Sequence, residues 1–300
     1  MNKPQQAPPP RVLNLCADDF GLSPGIAAGI AQLAHAGRIS AVSCITNVPG
    51  WTRDAAAARA FPPAVAIGLH LNLTEGRPLS TELARLWPRL PSLPRLLLLT
   101  HLHRVSRQAL RAEIGMQWQA FVAAAGRAPD FIDGHQHVHQ LPVVREVVLD
   151  LLDAQPWPTA VRSTAHVLGP GHAIKRCLIE GTGGWALGRA LDRRRFPHNP
   201  ALLGVYDFRS TDYRTLMRAW LAHLPAQGGL LFCHPGVARE CDAQDHIAAA
   251  RGRELDYLSG DALVQDLADA DVVLGSSWPG VATVHQPLPV AGISEMSRSG

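Results

Sequence analysis

Asp18 and Asp19 stand side by side at the end of an apolar run over residues 12–17 and are followed at once by Phe20-Gly21. An apolar strand would bury both carboxylates unless it ended there, so the pair points to a metal site or to acid/base chemistry at a sheet edge. His70 closes a second apolar run, within Gly68-Leu69-His70-Leu71-Asn72-Leu73-Thr74. A third run leads into Asp133-Gly134-His135-Gln136-His137-Val138-His139. Residues i and i+2 of an extended chain share a face, but His135 and His139 of a straight strand would lie about 13 Å apart at ~3.3 Å per residue. One ion could take all three imidazoles only across a sharp bend. The economical arrangement draws one ligand from each strand end: a carboxylate of Asp18-Asp19, the imidazole of His70 and one imidazole of the cluster. Three protein ligands leave a coordination position for water, as a catalytic site requires. His234 ends another apolar run before Pro235-Gly236 and would stand on the same rim. Its ordinary pKa near neutrality suits a general acid.

These groups converge only if the strands that carry them lie side by side. Residues 12–17 read as a buried strand, and a helix follows with Ser23 as N-cap, Pro24 in the first turn, Ile26, Ile30 and Leu33 on one face, and Gly37 as its stop. Strands are expected at 41–46, 64–71, 131–133, 160–162, 202–206, 229–233 and 271–274, with helices at 52–60, 108–125 and 143–154. Strand and helix alternating at this spacing predict a mostly parallel α/β sheet, whose ligand sites collect at the strands' C-terminal ends. Residues 77–107 break the rhythm with Pro78, Pro88, Pro91 and Pro94, and read as an irregular insertion, a lid or binding loop. Within it, Leu96-Leu97-Leu98-Leu99 is either packing or an apolar lip. Residues 166–200 read as helix plus loops, and Arg193-Arg194-Arg195 as a solvated loop or helix end.

Three hundred residues, 47% of them hydrophobic, can bury a large core, and one barrel domain over 11–275 is favoured, between a disordered leader at 1–10 and a tail at 276–300. A formal charge of +3 gives no electrostatic case for nucleic acid. The five cysteines have no C-x-x-C spacing and read as core thiols of a reducing compartment. The Pro-rich N-terminus has no apolar signal-peptide region, and no stretch approaches a transmembrane span, so the cytoplasm is the expected location. The oligomeric state is not fixed by the sequence, which admits a homodimer.

The four motifs, with Ala17-Asp18-Asp19-Phe20-Gly21-Leu22-Ser23 first and His234-Pro235-Gly236 last, fall in the order found in the YdjC-like carbohydrate deacetylases, which the sequence resembles over roughly residues 11–275. The resemblance implies a distorted (β/α) barrel of the glycoside hydrolase/deacetylase type and metal-dependent removal of acetyl from an N-acetylated sugar. It implies Asp19, His70 and His135 as metal ligands, Asp18 as catalytic base and His234 as acid. One divalent cation is implied, Mg2+ on the family's pattern, while the ligand softness suits Zn2+ at least as well. His137 and His139 are then groups that orient a ligand or face substrate, and Arg162 either holds Asp18 or contacts the sugar.

Three other readings are weighed. A metal-dependent phosphoesterase could use aspartate and histidines at strand ends, but no Gly-rich phosphate loop and no second ligand set is evident. A non-catalytic sugar-binding barrel would have shed a ligand or Asp18, and all are present. A glycosidase needs two carboxyls on opposite sides of the scissile bond, which adjacent Asp18 and Asp19 do not provide directly.

Overall fold

The computed structural model describes residues 9–276 and Trp278. Apart from Pro9, Pro10, Ser276 and Trp278, the expected leader and tail lie outside the described residues. In chain order the elements are β1 (Arg11–Phe20), α1 (Pro24–His35), β2 (Ala41–Cys44), α2 (Gly50–Arg59), β3 (Ala66–Leu71), α3 (Thr81–Leu86), α4 (Leu93–His101), α5 (Arg107–Ala125) and β4 (Phe131–Gly134). There follow α6 (Val144–Asp153), β5 (Ala160–Val161), α7 (Ala173–Ile179), α8 (Trp185–Arg194), β6 (Leu202–Leu203), α9 (Tyr213–His223), β7 (Gly229–Cys233), α10 (Ala248–Ser259), α11 (Asp261–Asp269) and β8 (Val272–Leu274).

All strand pairs are parallel, in the order β5-β4-β3-β2-β1-β7-β6, with β8 alongside the first residues of β1. Isolated bridges from Val161 to His198 and from Val167 to Leu202 link the two outer strands, so the sheet curls into the expected distorted barrel. Its interior is divided along the strands. Cys16, Ala41, Ala66, Phe131, Ala160, Leu202, Leu230 and Phe232 form one buried apolar cluster. Two residues further along four of these strands come Asp18, Ser43, Asp133 and Arg162, and His70 comes four residues past Ala66, all on the same side as the two-residue period demands. A larger apolar layer joins the outer strand faces to the helices.

Several boundaries differ from expectation for local reasons. β1 does not stop before its acidic pair but runs through Phe20, burying both carboxylates. Ala17 pairs with Val42 and Phe20 with Cys44, so β1 holds one residue more than β2 across this step, and Asp19 takes φ 71° at the bulge. Without the extra residue, adjacent side chains would point to opposite sheet faces. β6 ends at Leu203 because Gly204 has φ 108° and approaches the backbone of Phe232. The Pro-rich stretch 77–107 forms α3 and α4, each with a proline or serine at its start, and Ser80 donates its amide to Glu113 of α5 at 2.7 Å. Leu96 is buried and Leu98 exposed, so the leucine run is a single amphipathic helix face. Arg193–Arg195 fall at the solvated end of α8.

Gly68 has a packing role that the sequence alone leaves silent: a Cβ there would lie 2.5 Å from the ring of Phe131 in the barrel interior. Gly68→Ala is expected to destabilise the fold by about 1–3 kcal/mol through overpacking, read as a lower urea midpoint at unchanged m-value.

Candidate metal and acid/base centre

The bulge in β1 separates the tasks of its two carboxylates. Asp18 receives both arms of one guanidinium, with Arg162 Nη1 donating to Oδ2 at 2.7 Å and Nη2 to Oδ1 at 2.6 Å. Asp19 turns instead to the histidines: its Oδ1 lies 2.9 Å from His135 Nδ1 and 3.5 Å from His70 Nε2. One donor atom each from Asp19, His70 and His135 falls within 4.8 Å of the other two, and all three residues are buried. Neighbouring ligands of one ion at ~2.1 Å lie about 3.0–3.4 Å apart, so these separations match the edges of a coordination polyhedron.

The surroundings fix the orientation of each donor. His70 Nδ1 lies 2.6 Å from Asp133 Oδ1, which also accepts from Ser43 Oγ at 2.5 Å. A carboxylate can only accept, so Nδ1 carries the proton and Nε2 faces Asp19. His135 Nε2 is 3.1 Å from Glu75 Oε1, which leaves Nδ1 toward the cluster. Asp19 Oδ2 accepts from buried Arg251 at 2.8 Å, and Arg251 also donates to Asp245 at 2.7 Å. Arg162, fully buried, reaches Asp133 Oδ2 at 2.6 Å as well as Asp18. A second group of metal-capable atoms, from Cys16, Asp18 and Asp133, is thus already occupied by a guanidinium, with Arg162 Nη2 at 3.2 Å from Cys16 Sγ.

Charge in the site is unbalanced toward the negative: Asp18, Asp19, Asp133 and Glu75 face Arg162 and Arg251. Burial opposes a charge on His70, but Asp133 and Asp18 outweigh it and push the imidazole up to about 10. Burial likewise opposes a charge on His135, and Asp19 with Glu75 pushes it up to about 9. Against the pull of burial, Arg251 and His135 hold Asp19 well below the usual carboxylate range. Protons on two imidazoles here do what one divalent cation would do, which is the electrostatic fit expected of a metal centre.

The remaining histidines separate by environment. Gln136 and His137 take φ of 53° and 60°, so the chain bends sharply after His135. That bend does not gather the cluster on one ion. His137 packs edge-on against Phe232 with ring centres 5.4 Å apart, and burial and Arg162 hold it well below the usual range. His139 Nε2 donates to the carbonyl of Arg162 at 2.9 Å, and burial brings it down to about 4. His139 therefore orients the residue that holds Asp18, while the Nδ1 atoms of His137 and His139 have no partner among the described residues.

His234 follows β7 onto the same rim, and its amide donates to Glu254 Oε2 at 2.6 Å. Glu254 also accepts from Tyr206 Oη, and burial pushes it up to about 7. Burial and the charge of Arg251 bring the His234 ring down to about 4, against the opposing pull of Asp19 and Asp18. It is neutral at neutral pH and holds a proton only weakly.

Sequence reasoning missed Ser43, Glu75, Asp133, Arg251 and Glu254 as parts of this site. Asp133 could have been found, because it shares strand parity with Phe131 and lies two residues before His135. Arg251 and Glu254 carried a weaker signal, two charges three apart on one face of α10, both buried.

The YdjC-like protein family model matches residues 12–269. A chitooligosaccharide deacetylase of Serratia marcescens is 29% identical over 279 residues, 89% of this chain and 98% of that protein. A carbohydrate deacetylase of Mus musculus is 34% identical over 193 residues, 60% of this chain and 61% of that protein. Among solved structures, an Enterococcus faecalis V583 protein superposes with a TM-score of 0.67 at 19% identity, covering 89% of this chain and 98% of that one, a likeness of fold. With most of its length, residues 12–269, matched by one family model, the chain belongs to the YdjC-like protein family.

Proposed function

We propose that this protein is a metal-dependent carbohydrate N-deacetylase, which hydrolyses the acetamide of an N-acetylated amino sugar to acetate and a free amine. One observation carries the reading: three donor atoms of Asp19, His70 and His135 at coordination spacing, with an Arg162-held carboxylate and His234 beside them. The names of the similar proteins from Serratia marcescens and Mus musculus supply the substrate class. Asp19, His70 and His135 would hold one divalent ion, Zn2+ by the softness of two imidazoles or Mg2+ as an alternative. When bound, such an ion polarises an acetamide carbonyl and acidifies a water.

The chain's own groups carry the protons. Asp18, fixed from behind by both arms of Arg162, takes a proton from water as its oxygen bonds to the acetyl carbon. The proton that reaches the nitrogen as the C–N bond breaks is the one Asp18 took from water, handed on through His234, which is otherwise neutral at neutral pH. An imidazole with a pKa brought down to about 4 donates readily once protonated, so it serves as a strong acid for a poor leaving group. Phe232 and Phe208 flank its ring, with centres at 5.6 Å and 5.2 Å, and narrow its access to water.

Acetate release from N-acetylglucosamine oligomers, with chelation abolishing it and Zn2+ or Mg2+ restoring it, tests the reading. No release from any N-acetyl sugar, together with phosphate release from a generic ester, would overturn it. Asp18→Asn is expected to lower turnover by about 10²–10⁴-fold with metal content unchanged by elemental analysis. His135→Ala is expected to lose the metal itself, leaving apoprotein after gel filtration. Because His70 and His135 are protonated at neutral pH in the metal-free protein, binding must displace protons, and apparent affinity should rise from pH 7 to about 9. Calorimetry in buffers of different ionisation enthalpy reads the protons released; release of none would contradict the ligand set.

A further inference from the structure

Helix α7 has no buried residue, although it follows β5 on the barrel rim that carries the candidate site. Ile174, Leu178 and Trp185, the last beginning α8, are 81%, 60% and 49% exposed. Cys177 lies exposed beside them, so residues 174, 177 and 178 form one outward apolar stripe at helical spacing. These side chains do not hold the segment in place. Gln140 Nε2 donates to Ile179 O at 2.7 Å and to Thr182 Oγ1 at 3.0 Å, and Val167 donates its amide to Glu180 at 2.8 Å. Beneath the π-helical turn Glu180–Gly184, a Cβ on Gly183 would lie 2.2 Å from Gln140 O, so backbone rests on backbone. Fastened from below by polar contacts, the helix presents its large apolar groups to the outside.

The charge around the stripe indicates what covers it. Residues 172–195 contain six Lys and Arg against Glu180 and Asp192, a formal surplus of +4 in a chain whose total is +3. Arg189, Arg193 and Arg195 are exposed and have no carboxylate partner among the described residues, whereas Arg194 pairs with Asp153 at 2.6 Å and Lys175 donates to Tyr206 O at 2.7 Å. Between α6 and α8 lies a cleft of about 220 Å³, lined by Arg145, Glu146, Arg189, Arg193 and Arg194 among others. An apolar helix face with a tryptophan and neighbouring unpaired arginines is the composition of an interfacial membrane helix: apolar groups enter the acyl boundary while guanidiniums meet phosphates. Two-fold pairing of the same patch would set its arginines against one another.

We infer that α7 and the start of α8 dock this protein on an anionic lipid bilayer, with Ile174, Leu178 and Trp185 inserted and Arg189 and Arg193 at the headgroups. The placement on the rim would turn the barrel mouth toward the lipid surface.

Co-sedimentation of the full chain with vesicles tests this without any turnover, so its result is independent of the deacetylase reading. Vesicles of phosphatidylcholine with roughly one third phosphatidylglycerol are expected to bind at least about tenfold more protein than phosphatidylcholine alone, with loss at about 0.5 M salt. The triple variant Ile174→Ser, Leu178→Ser, Trp185→Ser should stay in the supernatant with an unchanged thermal melt, since the replaced groups are exposed. Arg189→Gln with Arg193→Gln should weaken binding and flatten its salt dependence. Wild-type protein that ignores anionic vesicles, or a triple variant that sediments equally, would overturn the inference. So would a dimer in light scattering that the triple variant abolishes, with no vesicle binding, because the stripe would then belong to a second copy.

Discussion

A single buried guanidinium holds the site together. Arg162 touches both oxygens of Asp18 and one of Asp133, in a position with no access to water. An unpaired charge buried this deep costs several kcal/mol, about 3–5 when one partner of a pair is removed, so the guanidinium and the two carboxylates stand or fall together. Through Asp133 the same guanidinium reaches His70, whose Nδ1 rests on that carboxylate. The backbone carbonyl of the same residue accepts from His139 Nε2. The proposed base, one proposed ligand and the turn after β4 are thus referenced to one cation, and their relative positions are set by short charge-assisted bonds rather than by loop conformation.

The barrel makes this affordable by separating an apolar plug from a polar mouth. Phe232 marks the boundary: the guanidinium of Arg162 lies 5.8 Å above its ring, and the rings of His137 and His234 stand nearly perpendicular to it. Below it, Phe131 fills the space that Gly68 leaves and contacts Trp278 with ring centres 4.4 Å apart. Polar side chains therefore stand on a close-packed floor and cannot sink into it, which keeps their donors aimed along the strands' C-terminal edge.

Much of this arrangement was legible because strand parity and hydrophobic run length are local properties. The apolar runs before His70, before Asp133 and before His234 end where strands end, and parallel alternation then brings their last residues to one edge. The bulge at Asp19 was not legible, because it depends on pairing with β2, where one residue of Ser43's register faces two of β1. Arg251 was hidden for a related reason: it arrives from α10, 232 positions after Asp19, and nothing near it in the chain announces the carboxylate it will meet. The histidine cluster was only half legible. Its density signalled chemistry, but which imidazole faces Asp19 was decided by left-handed backbone at Gln136 and His137, non-glycine residues for which such a conformation has no simple sequence mark.

The extra residue in β1 has a mechanical consequence. Asp18 and Asp19 are joined by one peptide plane, yet they answer to different guanidiniums, Arg162 on one side and Arg251 on the other. A rigid link of that length cannot lengthen, so any tug on α10 or on β5 must be shared between both acids. The proposed proton acceptor and the proposed cation holder would shift as one body, and their mutual spacing would survive a breathing motion that widened the barrel around them.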